Sequence, residues 1–85
     1  MAIRRSLHSS EYAEFLTVLK RVREDAGMTQ GDLAAKIGQT QTYVSKCERG
    51  QRRVDIIELR TFCKALGIEI DRFLRLLDAQ GRPYP

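Results

Sequence analysis

The sequence has no tryptophan, one histidine, two cysteines and two prolines among 85 residues. Each shortage removes a class of explanation. His8 has no Cys, Asp or Glu at ligand spacing, so no metal site and no Ser-His-Asp or Cys-His set can be assembled around it. Cys47 and Cys63 are too few and too far apart for a disulfide framework or a zinc site. Both are expected to remain thiols in a reducing cytoplasm, packed as small apolar groups, with a redox switch as the lesser alternative. The glycines stand singly, so no glycine-rich phosphate loop exists, and neither an enzyme nor a cofactor is expected. No apolar run approaches the roughly 18 residues of a membrane span. The first residues, "MAIRRSLHSS", place no apolar block after their two arginines, so no signal peptide is expected. No small-molecule ligand is evident either.

What is present describes one small domain. Hydrophobic residues make up 42% and charged residues 31%, and the net charge is +4. A basic balance favours a polyanionic partner, but only the placement of the charge can say which. Residues 1–8 carry no periodicity and are expected to fray. From Glu11 the pattern is helical, with Tyr12, Phe15, Leu16, Leu19, Val22, Arg23 and Ala26 on one face, Ser9 or Ser10 as N-cap, and Gly27 as the stop. Thr29 and Asp32 form a capping box that opens a short second helix burying Leu33, Ala34 and Ile37 and ending at Gly38. Thr40 caps a third helix over Gln41–Arg49. Asp55 and Glu58 cap a fourth, with Ile56, Leu59, Phe62, Cys63 and Leu66 as its buried stripe. A fifth helix covers Ile70–Asp78, and residues 79–85 are expected to be an irregular tail. No alternating strand pattern and no repeat appear. The spacing predicts an all-α, five-helix domain over residues 9–78.

The third helix is the unusual one. On a wheel of roughly 100° per residue, Gln41, Thr42, Ser45, Lys46 and Arg49 share one arc of about 140°. Val44 and Cys47 lie opposite. A narrow apolar seam therefore holds the helix down, while a polar face suited to base edges in a major groove points outward. Any surface helix has a polar side, so the neighbours decide. The second and third helices are separated by a turn of a few residues, which is helix-turn-helix geometry. Gln30 sits where a helix N-terminus can hold a phosphate. The following "ERGQRRV" brings Arg49, Arg52 and Arg53 to flanking phosphates.

"LKRVREDAGMTQGDLAAKIGQTQTYVSKCERGQRRVDIIELRTFCKALGIEI" resembles the helix-turn-helix domain of the lambda-repressor/Cro-like (XRE) family. The signal is T-Q-x-x-L-A-x-x-I-G followed by Y-V-S-x-x-E-R-G. The resemblance implies a five-helix lambda-repressor-like fold in which Gln41, Thr42 and Lys46, with Ser45 beside them, read bases. It implies that Gln30, Tyr43, Arg52 and Arg53 touch the backbone, where Thr40 and Arg49 are expected to join them. It further implies an ion pair between Arg23 and Glu48, which would explain a charge beside the apolar face of the first helix. Cys47 departs from the pattern, standing where a larger aliphatic is usual. Gly31, a poor helix former, sits in the first turn of the second helix.

Ile70, Phe73, Leu74 and Leu77 exceed what a short terminal helix needs on one side, and part of that stripe is expected to form a two-fold contact. The implied function is a stand-alone, homodimeric regulator of transcription, acting as a repressor on a palindromic operator of double-stranded DNA. The alternative is an antitoxin or other protein-interaction module that keeps the fold.

Overall fold

Capping residues set the helix boundaries, and they do so locally. A computed structural model describes residues 10–81 of the chain. Its helices are α1 (Ser10–Asp25), α2 (Gln30–Ile37), α3 (Gln41–Glu48), α4 (Ile56–Leu66) and α5 (Ile70–Gly81), with no strand among the described residues. Thr29 Oγ1 accepts from the Asp32 amide at 3.0 Å, and Asp32 Oδ2 accepts from the Thr29 amide at 3.0 Å. Asp55 and Glu58 repeat the reciprocal arrangement at α4, at 2.8 and 3.0 Å. Each box satisfies backbone donors that a helix start leaves unpaired.

The turn between α2 and α3 is short because of Gly38. Its φ of 69° is left-handed, and its amide and that of Gln39 return to the last carbonyls of α2. A side chain there would strain the backbone. Thr40 then caps α3, its Oγ1 accepting from the Tyr43 amide at 3.1 Å. Reversal and restart thus take three residues, which fixes α3 against α2.

The core lies where α1, α2, α4 and α5 converge beneath α3. Leu19, Leu33, Val44, Cys47 and Phe73 are each 0% exposed, and Phe62 is 1%. Phe15 of α1 meets Phe73 of α5 edge-on at 5.7 Å, an aromatic geometry that adds to simple area burial. The Tyr12 hydroxyl accepts from the Val54 amide at 3.1 Å, tying the start of α1 to the loop before α4.

Four boundaries or burials differ from the sequence expectation. α3 ends at Glu48 and Arg49 is its C-cap. α5 continues through Ala79 and Gln80 to Gly81, so the tail does not begin at residue 79. Alanine and glutamine favour helix, and the breakers Gly81 and Pro83 come only after them. Ala26 is exposed just beyond the end of α1. Ile56, expected in the buried stripe of α4, is 57% exposed and borders an open groove of about 320 Å³ lined also by Tyr12, Phe15, Leu59 and Leu77. Residues 1–9, His8 and the possible cap Ser9 among them, lie outside the described residues, as do residues 82–85.

Candidate nucleic-acid interface

α3 is divided cleanly along its length. Val44 and Cys47 are wholly enclosed, Ser45 and Tyr43 are half-buried, and Gln41, Thr42 and Lys46 are exposed. Of the four side chains expected to read bases, Gln41, Thr42 and Lys46 therefore stand on the solvent side, while Ser45 is half-buried beside them. Burial pushes the Cys47 and Cys63 thiols above their ordinary range, which favours the neutral, unreactive form. Neither is in a disulfide.

One carboxylate joins three helices. Glu48, at the end of α3, accepts from Arg23 Nε at 2.6 Å and from Arg23 Nη2 at 3.0 Å. Glu48 Oε1, the oxygen that takes Arg23 Nη2, also accepts from Gln30 Nε2 at 3.0 Å. Arg23 Nη1 also donates to the Met28 carbonyl at 2.7 Å. The side chains of Arg23 and Glu48 are 8% and 4% exposed, so the pair is buried as well as bidentate. Among the described residues no buried side-chain polar atom lacks a partner. Gln30, at the first position of α2, is thereby fixed by its amide nitrogen, and only part of its donor capacity remains for a phosphate.

The loop after α3 is more ordered than a row of free cations. Arg52 Nη2 donates to Glu58 Oε2 at 2.7 Å and its Nη1 to the Arg53 carbonyl at 3.0 Å. The Arg52 guanidinium lies 4.7 Å above the Tyr43 ring, and the Tyr43 hydroxyl is 3.4 Å from Glu58 Oε2. Arg53 is exposed and stands 5.4 Å over the Tyr12 ring. Arg49, also exposed, donates to Gln51 at 3.2 Å. The Thr40 hydroxyl is exposed but already serves as the α3 cap.

The Arg52 guanidinium, then the Asp55 amide, hold the Glu58 carboxyl at about 2. The Thr29 amide and hydroxyl hold Asp32 below its ordinary value. Both groups are depressed in the fold, so each contributes fully above its ordinary value, 4.5 for Glu58 and 3.8 for Asp32; the Glu58 part is lost as pH falls towards about 2, and the Asp32 part as pH falls below its ordinary value. The expected result is a melting temperature that falls progressively across that window. Glu58→Gln removes part of the slope, which circular dichroism against pH can read.

α5 corrects one expected contact. Phe73 is 0% exposed and faces α1, so it has no area to offer a second chain. Leu74 is 43% exposed, while Ile70 and Leu77 are half-buried against the core. Ile57, which the periodicity did not single out, is 59% exposed next to Ile56. Glu58 drew notice only as a cap; Arg52 lies six positions away across a turn, a spacing with no local signature.

Residues 19–73 match the helix-turn-helix family model. An XRE-family-like protein of Pseudomonas syringae superposes with a TM-score of 0.82 at 35% identity, covering 96% of this chain and 100% of that one. The chain belongs to the XRE-type helix-turn-helix family. The wild-type restriction–modification controller protein C.Esp1396I is similar too, with a TM-score of 0.79 at 33% identity over 85% of this chain and 94% of that one. The controller is also known as a tetramer in complex with its natural 35-base-pair operator. An uncharacterized HTH-type transcriptional regulator of Sinorhizobium fredii is 40% identical over 48 residues, 56% of this chain; the match spans 62% of that protein's length. Membership of the XRE-type family makes this a helix-turn-helix transcriptional regulator, with α2 and α3 as the motif. Among the described residues, no helix is long and apolar enough to cross a membrane.

Proposed function

We propose that this XRE-type regulator is a cytoplasmic, sequence-specific repressor that binds a palindromic DNA operator as a homodimer and acts by occlusion. The observation that carries the reading is the exposure of Gln41, Thr42 and Lys46 on a helix whose opposite side is sealed into the core. Glutamine and lysine there can donate to purine edges, and threonine can meet a thymine methyl or a hydrogen-bond acceptor. Gln30, Thr40, Tyr43 and Arg49, Arg52 and Arg53 border that face and supply the phosphate contacts that set register. The operator complex of the similar controller protein supports a duplex partner and an assembly larger than one chain. Leu74, with the accessible parts of Ile70 and Leu77 and the nearby Ile56, offers the two-fold contact.

A protein-interaction role, such as an antitoxin, draws support from the exposed Ile56 and Ile57. It fits α3 poorly, because the apolar residues of that helix, Val44 and Cys47, are both enclosed. The deciding experiment is selection of bound duplexes from a random pool. An inverted repeat with half-site centres about 34 Å apart supports dimeric reading. Recovery of no sequence preference sinks it.

Base readers and phosphate contacts separate by substitution. Gln41→Ala costs about 1–3 kcal/mol at the selected site, relaxes preference at one or two base pairs and leaves the salt slope unchanged. Arg53→Ala weakens all duplexes about equally and lowers the salt slope by about one. Fluorescence anisotropy across a salt series distinguishes the two patterns.

A further inference from the structure

Arg52 stands apart from its neighbours in the loop. Its guanidinium is held on three sides: by Glu58 at 2.7 Å, by the Arg53 carbonyl at 3.0 Å and by the Tyr43 ring at 4.7 Å. Glu58 is itself fixed, because its other oxygen accepts from the Asp55 amide at 3.0 Å in the α4 capping box. The carboxylate therefore connects the recognition helix, the loop and the start of α4. An arginine has five N–H donors, and two of these are engaged, so the side chain retains capacity for another acceptor. Glu58 also stays ionised over the range in which proteins work, since its carboxyl is held at about 2.

A free arginine in a loop attracts every duplex alike, because its gain comes from counterion release. A guanidinium with a fixed fork gains fully only where a phosphate lies in the matching place, which a duplex seated in register by its base contacts supplies and a non-specifically bound one does not. Ordering it beforehand also removes the cost of ordering it on binding. The carboxylate beside it lowers the general attraction to polyanions. The net effect exchanges bulk affinity for discrimination.

We propose that Glu58 is a positioning residue for DNA recognition, which holds Arg52 against Tyr43 and so raises the preference for operator over unrelated duplex. The proposal rests on the DNA-binding reading above. It goes beyond that reading by giving an acidic residue of α4, outside the base-reading helix, a share in specificity.

The test is a double-mutant cycle of Glu58→Gln and Arg52→Ala. Affinity is measured for the duplex recovered by selection and for a random-sequence duplex of equal length. Glutamine keeps a carbonyl for the Asp55 amide, so the α4 cap survives, and thermal melting verifies the fold of each variant. Loss of a carboxylate strengthens binding to both duplexes in either background. The operator-to-random ratio, in contrast, falls by about fivefold in Glu58→Gln, the scale of coupling between touching side chains. With alanine at position 52, the same change leaves the ratio where Arg52→Ala alone put it. A ratio that is unmoved by Glu58→Gln, or that moves equally in both backgrounds, overturns the positioning role while leaving DNA binding intact. A wild-type protein without affinity for any duplex overturns the DNA-binding reading, and the positioning role with it.

Discussion

Glu48→Ala is expected to destabilise the domain by about 3–5 kcal/mol, the cost of leaving one member of a buried ion pair without the other. The Arg23 guanidinium remains in place after the substitution, with its side chain only 8% exposed and just the Met28 carbonyl to satisfy it. Domains of this size have total stabilities of about 5–15 kcal/mol, so the loss is a large fraction of the whole. Each 1 kcal/mol corresponds to roughly 4–8 °C, which places the expected fall in melting temperature well above 10 °C. DNA binding should weaken in parallel, since the end of α3 and the Gln30 amide lose their common anchor. The paired replacement Arg23→Met with Glu48→Leu is expected to restore much of the stability, as apolar substitutes for buried pairs often do. It should not restore the Gln30 contact. A melting temperature unchanged by Glu48→Ala would show that the pair does not hold α1 to α3.

The second large effect concerns α5. Phe73→Ala is expected to cost about 3–5 kcal/mol, because it opens a cavity at a fully enclosed site against Phe15. Leu74→Ala, at a side chain 43% exposed, should leave the unfolding of the monomer nearly unchanged. Under the proposed two-fold contact its effect belongs to assembly, and sedimentation should show a weaker dimer. Urea titrations at one fixed protein concentration keep the two effects apart, since association itself adds to apparent stability. A Phe73→Ala variant of wild-type stability that fails to dimerise would return Phe73 to the interface.

These two side chains also show where sequence reasoning stopped. Periodicity groups Ile70, Phe73, Leu74 and Leu77 on one broad face, but it cannot say how far the neighbouring helix covers that face. The same limit applies to Ile56, which follows the stripe of α4 yet sits at the rim of a groove. Boundaries were far more legible. Thr29 with Asp32, Asp55 with Glu58, and Gly38 each act within four residues, so their chemistry is visible in the order of the chain. The polar arc of α3 was legible for the same reason, since 3.6-residue spacing fixes which residues share a side. Long-range polar partners were not. Arg23 lies 25 positions from Glu48, and only the family resemblance suggested that they meet. Nothing in the chain announced that Gln30 would join them, or that Arg52 would lodge between Tyr43 and Glu58.

The division of α3 into an enclosed side and an open side has a consequence for how such a protein can diversify. Gln41, Thr42 and Lys46 make no part of the core, so under the proposed base-reading role exchanging them would alter the preferred operator at little cost to folding. Val44, Cys47 and Glu48 have no such freedom, and a single change at Arg23 or Glu48 passes through a buried unpaired charge. If the open side reads DNA as proposed, new targets are within reach there by one substitution at a time, while the enclosed side has to change in concert or stay as it is.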